Sequence, residues 1–393
     1  MVTRRAFLRT LAATGGVLVL SALAQACAPI APTATTAGLA EAPLGTDTPR
    51  PTEVPATAAP TSAPTTVIPT AQPIEPATVV PSPTTAPATS TPRPPAKGRV
   101  ALIKTTDRAD GVRRAIALLG VGPMPEASVF LKPNYNSADP SPGSTHPDVL
   151  RAMVEQLYNL GAGSITVGDR SGMGDTRTVM QQLGVFRQAE ELGFDTLVFD
   201  ELPPEAWAHI DEPDDHWSQG FYLPRAVLDA ESLVQTCNLK THRFGGHFTL
   251  ALKNSVGLVA RRVGGGHDYM SELHSSPHQR TMIAEVNRAR QPALIVMDGV
   301  QAFTDGGPDR GTVVDAGVVL AATDLVAIDA VGVAILRLFG TTPEVSQGAV
   351  FEQAQIARAV ELGLGVSEPA EIELVTEDDA GAAMAEETIP LLS

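Results

Sequence analysis

Cysteine and positive charge are both scarce in this chain of 393 residues. Two cysteines cannot build a disulfide framework, a zinc site made of cysteines alone, or an iron–sulfur cluster held by this chain. The formal charge is −16, because 44 acidic residues oppose 28 basic ones. A negative charge of this size repels phosphate backbones, so the composition argues against a nucleic-acid partner.

Two common nucleotide-binding motifs are also missing from a glycine-bearing polar loop of the chain. Residues 169–175 read Asp-Arg-Ser-Gly-Met-Gly-Asp, with neither the G-x-G-x-x-G fingerprint nor the lysine of a P-loop. The glycines suit a tight turn from strand to helix, and they equally suit a loop whose backbone amides bind an anion. The sequence leaves both interpretations open.

Residues 1–26 are typical of an export signal. Arg4 and Arg5 form a twin-arginine pattern, followed by an apolar run that is too short for a comfortable membrane span. An Ala-Gln-Ala segment, suited to a signal peptidase, stands directly before Cys27. We expect export by the twin-arginine machinery, followed either by acylation of Cys27, as in a bacterial lipoprotein, or by ordinary secretory cleavage.

Residues 27–97 consist mainly of Pro, Thr, Ala and Ser, with almost no aromatic residue and little charge. A segment of this composition has no apolar period and cannot bury enough surface to offset the entropy lost on ordering. We therefore predict a disordered linker. If Cys27 is acylated, the linker tethers the domain that follows to a membrane, at the outer face of the cell membrane or in the periplasm.

From residue 98 to residue 393 the pattern predicts an α/β fold, a mostly parallel sheet with helices on both faces in a single elaborated domain. An alternative is a core with a smaller insertion at about 240–290. Apolar runs predict strands at 99–103, 128–132, 164–168, 196–199, 233–238, 294–298, 313–321 and 371–375. Helical periods occupy 111–119, 147–160, 176–183, 277–290, 325–339 and 348–362.

Polar residues gather at the carboxyl ends of the predicted strands, where open α/β sheets bind their ligands. The motifs concerned are Lys132-Pro-Asn134, Gly168-Asp169, Lys240-Thr-His242, Lys253-Asn254 with Gly257, Leu-His274, Asp298 with Gly307-Pro308, and Asp324 followed by Asp329. In this order and over roughly 99–365 they resemble the DUF362 family. The resemblance implies a domain of unknown function. Some relatives resemble fusions with ferredoxin modules, which implies a separate redox protein as partner.

Lys240, His242, Lys253 and Asn254 form the strongest constellation. Two ammonium groups and an imidazole could hold a carboxylate or phosphate of a small anionic ligand, or a lysine could act covalently on a carbonyl. The alternative is a scaffold in which the two lysines pair with carboxylates, for which Asp169, Asp298 and Asp329 are the candidates.

His242 and His274 lead to a second hypothesis. With a carboxylate they could bind a divalent metal ion, although the local spacing of the histidines is a weak metal pattern. They could also bind substrate or exchange protons with it. Asp329 lies in an apolar helical run, so we expect it to pair with Lys253 or Lys240, or to be a ligand or a buried acid.

We therefore expect one polar cleft. The catalytic candidates are Lys240, His242, Lys253, His274 and Asp329. The binding candidates are Lys132, Asn134, Asp169, Asn254, Asp298 and Asp305, the last in a segment that first suggests a turn. Two functions fit such a cleft: an enzyme acting on a small anionic substrate, metal-assisted or redox-linked, or a tethered binding protein or cofactor carrier without turnover.

Overall fold

The computed structural model describes residues 98–393, which belong to one compact unit. The predicted export signal, Cys27 and the linker lie outside the described residues. Within 98–393, no helix is both long and apolar enough to cross a membrane.

Twelve strands are formed by residues 98–393, and ten of them share one sheet. They are β1 Gly98–Lys104, β2 Ser128–Lys132, β3 Ser164–Asp169, β4 Asp195–Val198, β5 Trp207–Ile210, β6 Phe221–Pro224, β7 Ser232–His242, β8 His247–Thr249, β9 Leu294–Gly306, β10 Gly311–Val314, β11 Val318–Ala322 and β12 Ile372–Val375. The main path runs β12-β1-β11-β9-β7-β2-β3-β4, with β8 paired to β7 and β10 paired to β9. Strands β5 and β6 make a separate two-stranded sheet.

Parallel pairing dominates the half of the sheet that positions the polar residues. Strands β9, β7, β2, β3 and β4 are parallel neighbours, whereas β11 runs antiparallel to both β1 and β9. The prediction of a mostly parallel α/β fold is thereby confirmed. The carboxyl ends of β2, β3 and β7 lie side by side at one edge of the sheet.

Twelve α-helices surround the sheet in the described part of the chain. They are α1 Arg108–Leu119, α2 Pro147–Asn159, α3 Thr176–Gln182, α4 Val185–Leu192, α5 Arg225–Asp229, α6 Ala251–Asn254, α7 Tyr269–Ser275, α8 Gln279–Ala289, α9 Leu325–Leu338, α10 Pro343–Ser346, α11 Ala354–Glu361 and α12 Asp379–Thr388. Helix α9 begins where Asp324 accepts a hydrogen bond from the Ala327 amide at 2.8 Å, as expected for a side-chain cap.

The sheet separates two apolar cores. Because neighbouring residues of a strand face opposite sides, Val100 and Leu102 of β1 pack in one core, and Ala101 and Ile103 pack in the other. The first core contains the apolar residues of α9, and the second contains those of α1 and α2. Helices therefore cover both faces, as predicted.

Three sequence predictions differ from the structure. The single strand predicted at 313–321 is two strands, β10 and β11, which run in the same direction along β9 and are separated by residues 315–317, where Gly317 has φ +62°. Strands β7 and β9 continue beyond their predicted ends, because each pairs with a short antiparallel partner there. The helix predicted at 348–362 is α-helical only as α11.

Candidate functional site

A pocket of about 330 Å³ lies at the carboxyl ends of β2, β3 and β7. The segment from β8 to α7 closes its other side. Eight residues that the sequence nominated line it: Lys132, Asn134, Asp169, Lys240, His242, Lys253, Asn254 and His274. Two of the exposed large apolar side chains, Met173 and Phe244, also line it, which gives the polar interior an apolar rim.

Lys132 and Asp169 form a buried ion pair on neighbouring strands. The Lys132 Nζ lies 2.8 Å from Asp169 Oδ1, and both side chains are almost fully buried. Asp169 also accepts hydrogen bonds from the backbone amides of Tyr135 and Arg170, each at 2.7 Å. Burial raises the pKa of Asp169 and lowers that of Lys132, while their mutual attraction opposes both shifts.

Gly257 is the reason this ion pair reaches the pocket. A Cβ at that position would lie 2.7 Å from Asp169 Oδ1 and 2.8 Å from Lys132 Nζ. Real side chains do not tolerate such distances, so only glycine leaves both charged atoms beside the pocket space.

Two asparagines connect the ion pair to Lys240. Asn254 Oδ1 accepts hydrogen bonds from Lys132 Nζ at 3.4 Å and from Asn134 Nδ2 at 3.0 Å. Asn134 Oδ1 in turn accepts one from Lys240 Nζ at 2.7 Å. Asn254 also donates to Gln235 and to the Thr236 carbonyl, so its amide is fully used. These contacts fix the relative positions of the lysines.

Lys240 is buried with neutral acceptors in place of a carboxylate. Its Nζ donates to Asn134 Oδ1, to the Gly143 carbonyl and to the Pro308 carbonyl. Burial, together with the charges of Lys253 and Lys132, lowers the pKa of Lys240 to about 7. Three acceptors match the three protons of an ammonium group, so the hydrogen-bond geometry suits the charged form.

Lys253 has no such acceptors. It is 8 % exposed, it lines the pocket, and among residues 98–393 its Nζ has neither a hydrogen bond nor an ion pair. Burial, with a smaller contribution from the positive charge of Arg170, lowers the pKa of Lys253 to about 8. Its amine is therefore the unsatisfied donor of the pocket.

His242 and Thr249 add two more unsatisfied groups. His242 Nδ1 and Thr249 Oγ1 are buried and have no hydrogen-bond partner within the described residues. Burial lowers the pKa of His242 well below its usual value, and the lysine charges add to this effect. The imidazole is thus neutral at neutral pH, which leaves one ring nitrogen able to accept a proton.

His274 lies at the pocket wall, on α7. Its Nδ1 donates to the Met270 carbonyl at 2.7 Å, which leaves Nε2 as the unprotonated nitrogen. Burial lowers the pKa of His274.

Arg170 supplies a further buried positive charge. Its guanidinium donates to the carbonyls of Val259 at 2.8 Å and Ser171 at 3.2 Å, and it has no ion pair within 98–393. In the loop 169–175, the amides of Arg170, Ser171 and Met173 all bind protein oxygens. The loop therefore contributes the Arg170 side chain to the pocket. The amides of Arg170, Ser171 and Met173 are not available to bind an anion.

Asp329 is not paired with Lys253 or Lys240, so the predicted ion pair is wrong, whereas the alternative of a buried acid agrees with its full burial. Its carboxyl accepts hydrogen bonds from the backbone amides of Ala251 at 2.7 Å and Leu252 at 3.1 Å. These amides begin α6, the short helix that carries Lys253. Burial raises the pKa of Asp329 to about 8, and the two amide hydrogen bonds oppose the shift. Asp329 acts on the pocket by positioning α6.

Asp298 and Asp305 lie outside the pocket lining as well. Asp298 pairs with Arg108 at 2.8 Å and accepts a hydrogen bond from Ser141. Asp305 is exposed at the end of β9 and accepts a hydrogen bond from the Gly306 amide. Asp169 pairs with Lys132, so the scaffold hypothesis, in which Asp169, Asp298 or Asp329 neutralises Lys240 and Lys253, is wrong.

Comparison with known proteins identifies the family. Residues 129–334, more than half of the chain, match the family described as a domain of unknown function, DUF362. The chain belongs to the DUF362 family. It is 27% identical over 217 residues to a thylakoid-associated protein of Synechocystis sp.. That alignment covers 54% of this chain and 64% of the relative, so the matched part is less than two thirds of the relative's length.

Two solved structures are similar to parts of this DUF362 chain. The lactate racemase apoprotein from Thermoanaerobacterium thermosaccharolyticum has a TM-score of 0.35 and 14% identity, covering 52% of this chain and 51% of that one. A protein from Thermotoga maritima has a TM-score of 0.31 and 12% identity, covering 48% and 49%.

Within the described part of this DUF362 domain, no three His, Cys, Asp or Glu side chains are grouped closely enough to hold a metal ion. His242 and His274 therefore have no third ligand of these types from residues 98–393. Cys237 is fully buried in the apolar core, and burial raises the pKa of its thiol well above the usual value. This agrees with a packing role for Cys237.

Arg170 and Thr249 are pocket residues that the sequence did not nominate. Arg170 lies in the glycine-bearing loop 169–175, which was interpreted through its backbone and not its side chains. Thr249 reaches the pocket because β8 pairs it with Lys240. The few lysines of the chain are concentrated at the pocket. Only five of the 28 basic residues are lysines, and three of these, Lys132, Lys240 and Lys253, are buried in its wall.

Proposed function

We propose that this DUF362 domain is an enzyme whose pocket binds a small anionic substrate. The observation that carries the proposal is Lys253, whose amine faces the pocket without a hydrogen bond or ion pair to any described residue, beside the buried, unpartnered polar atoms of His242 and Thr249. A polar group without a partner costs free energy when water is excluded from it, so a ligand that supplies the partner is favoured.

The charge of the pocket selects an anion. Arg170, Lys240 and Lys253 line it without carboxylate partners, and Asp169 is neutralised by Lys132. The chain as a whole is strongly acidic, with a formal charge of −16, so this local excess of cations runs against the composition. A carboxylate or phosphate would offset the repulsion between the buried cations.

His242 favours an enzyme over a binding protein or carrier without turnover. A carrier needs only charge and hydrogen bonds, whereas His242 contributes a neutral imidazole with a free buried nitrogen. A neutral imidazole can accept a proton from a reacting group and return it, which is the usual role of a general acid–base residue. The pocket volume of about 330 Å³ suits a small molecule.

Oxalate is the first probe for this proposal. We expect oxalate to raise the midpoint of thermal unfolding of the full chain, because the dianion neutralises the cations around Lys253. Lys253→Met should abolish most of this increase. Lys104→Met is the matched control, because Lys104 is bonded to the Ala316 carbonyl and does not line the pocket.

The pH dependence sharpens the oxalate experiment. The ammonium form of Lys253 binds the anion, and the pKa of Lys253 is about 8 without ligand. Affinity for oxalate should therefore fall as the pH rises through about 8, up to about tenfold per pH unit. An increase in thermal stability that persists in Lys253→Met, or that chloride produces equally, would contradict the proposal.

We also propose that the protein is exported and tethered to a membrane through acylated Cys27. The twin-arginine pattern and the small residues before Cys27 support this proposal. In cells that carry the export machinery, Cys27→Ser should move the protein from the membrane fraction to the soluble fraction. Release of the unaltered protein by salt alone would show that it is not held by a lipid.

A further inference from the structure

Lys253 combines a backbone fixed by hydrogen bonds with an amine that has no partner among the described residues, as expected for a nucleophilic lysine. Lys253 lies on α6, whose first two backbone amides donate to the Asp329 carboxyl. At the other end of α6, the side-chain amide of Asn254 accepts hydrogen bonds through its oxygen and donates through its nitrogen. The backbone of Lys253 is thus fixed from two directions. Its Nζ, in contrast, has no partner among residues 98–393.

His242 lies close to the same amine. A Cβ built on Gly246 would lie 2.6 Å from Lys253 Cε and 3.0 Å from His242 Nδ1. Both side chains therefore pack against the backbone of Gly246, where only glycine leaves room for them. An amine and a neutral imidazole on neighbouring side chains that line one pocket are the two groups needed to add to a carbonyl and to move the accompanying protons.

We infer that Lys253 forms an imine with the carbonyl carbon of an α-oxo carboxylate. This inference rests on the proposed function, and it specifies the substrate class and the reacting atom. The carbonyl would meet the Lys253 amine, and the adjoining carboxylate would face the positive charge of Arg170 and Lys240. Burial also favours the reactive neutral amine, because it lowers the pKa of Lys253 to about 8.

The step balances without an oxidant or reductant. The neutral Lys253 Nζ adds to the carbonyl carbon, a C–N bond forms, and the π electrons of the carbonyl move to its oxygen. The proton released by nitrogen passes through His242 to that oxygen, giving a carbinolamine. The remaining N–H proton then passes by the same route to the hydroxyl group, which leaves as water while the C=N bond forms.

Glyoxylate with cyanoborohydride tests the inference on the full chain. Hydride reduces the imine to a stable secondary amine, so the modified lysine carries a carboxymethyl group that peptide mass spectrometry locates. We expect Lys253 to be modified at least tenfold faster than Lys104 or Lys97. Oxalate present in excess should suppress modification of Lys253 and leave the other two lysines unchanged.

Lys253→Arg separates the imine from anion binding. The guanidinium keeps the positive charge but cannot form the imine, so the variant should retain an increase in thermal stability with oxalate and lose the modification. If the unaltered protein responds to oxalate but Lys253 reacts no faster than Lys104, the imine is excluded and the proposed function survives. If the protein does not respond to oxalate and Lys253 is also unreactive, both proposals fail.

Discussion

Asp169→Asn is expected to lower the free energy of unfolding by about 3 to 5 kcal/mol, because it removes one partner of a buried ion pair. The Lys132 ammonium, only 1 % exposed, would keep the Pro133 carbonyl and Asn254 as acceptors but would have no counter-charge. The amides of Tyr135 and Arg170 would also share a single oxygen in place of two. Chemical denaturation of the full chain by urea measures the loss.

The double variant Asp169→Asn with Lys132→Met distinguishes charge from packing. Removing both charges eliminates the uncompensated ammonium, so the double variant should lose at least about 1 kcal/mol less than the sum of the two single variants. Glu201→Gln is a useful control, because its ion pair with Arg177 has distances of 2.6 Å but is exposed to solvent. It should have a much smaller effect. Strict additivity would show that Asp169 and Lys132 do not stabilise each other.

Asp329→Ala is expected to cost on the order of 4 kcal/mol, because two buried amides lose their acceptor and each unsatisfied amide costs about 1 to 3 kcal/mol. The amides belong to Ala251 and Leu252, so the start of α6 should loosen. Since α6 carries Lys253, oxalate binding should weaken even under conditions where the variant remains folded. A variant with normal stability and normal oxalate binding would show that Asp329 does not position the helix.

Asp329→Asn provides the pH control. The pKa of Asp329 is raised to about 8 in the folded chain, against an ordinary value of 3.8. The unfolded chain therefore loses this proton at lower pH than the folded chain, and the group destabilises the folded state as pH rises from about 4 to about 8. Relative to Asp329→Asn, the unaltered protein should lose stability over this range.

The sequence predicted most of the sheet, because parallel strands buried on both faces are apolar runs with clear ends. The run at 128–132 coincides with β2. The run at 313–321 was predicted as one strand, but residues 315–317 leave the ladder between β10 and β11, and Gly317 there has a positive φ. Both strands run in the same direction, antiparallel to β9. The apolar pattern alone carries no direction, and that is why the antiparallel part of the sheet was missed.

The same reasoning from strand ends predicted part of the candidate site. Lys132, Asp169 and Lys240 meet because they stand at or near the ends of adjacent parallel strands. The partner of Asp329 could not be predicted, since a buried carboxyl can be satisfied by backbone amides, which every segment of the chain possesses. The expectation that buried lysines require carboxylates also failed for Lys240, because carbonyl oxygens from distant loops surround its ammonium.

The position of β1 in the sheet has a consequence for folding during translation. Val100 pairs with Ala322 on one side and with Leu374 on the other, so both neighbours of β1 come from the last part of the chain. During translation β1 leaves the ribosome long before either neighbour, and its backbone groups stay open to pairing with other chains. Completion of the sheet is therefore tied to the end of translation, and a chain released before residue 372 would keep one edge of β1 without its partner.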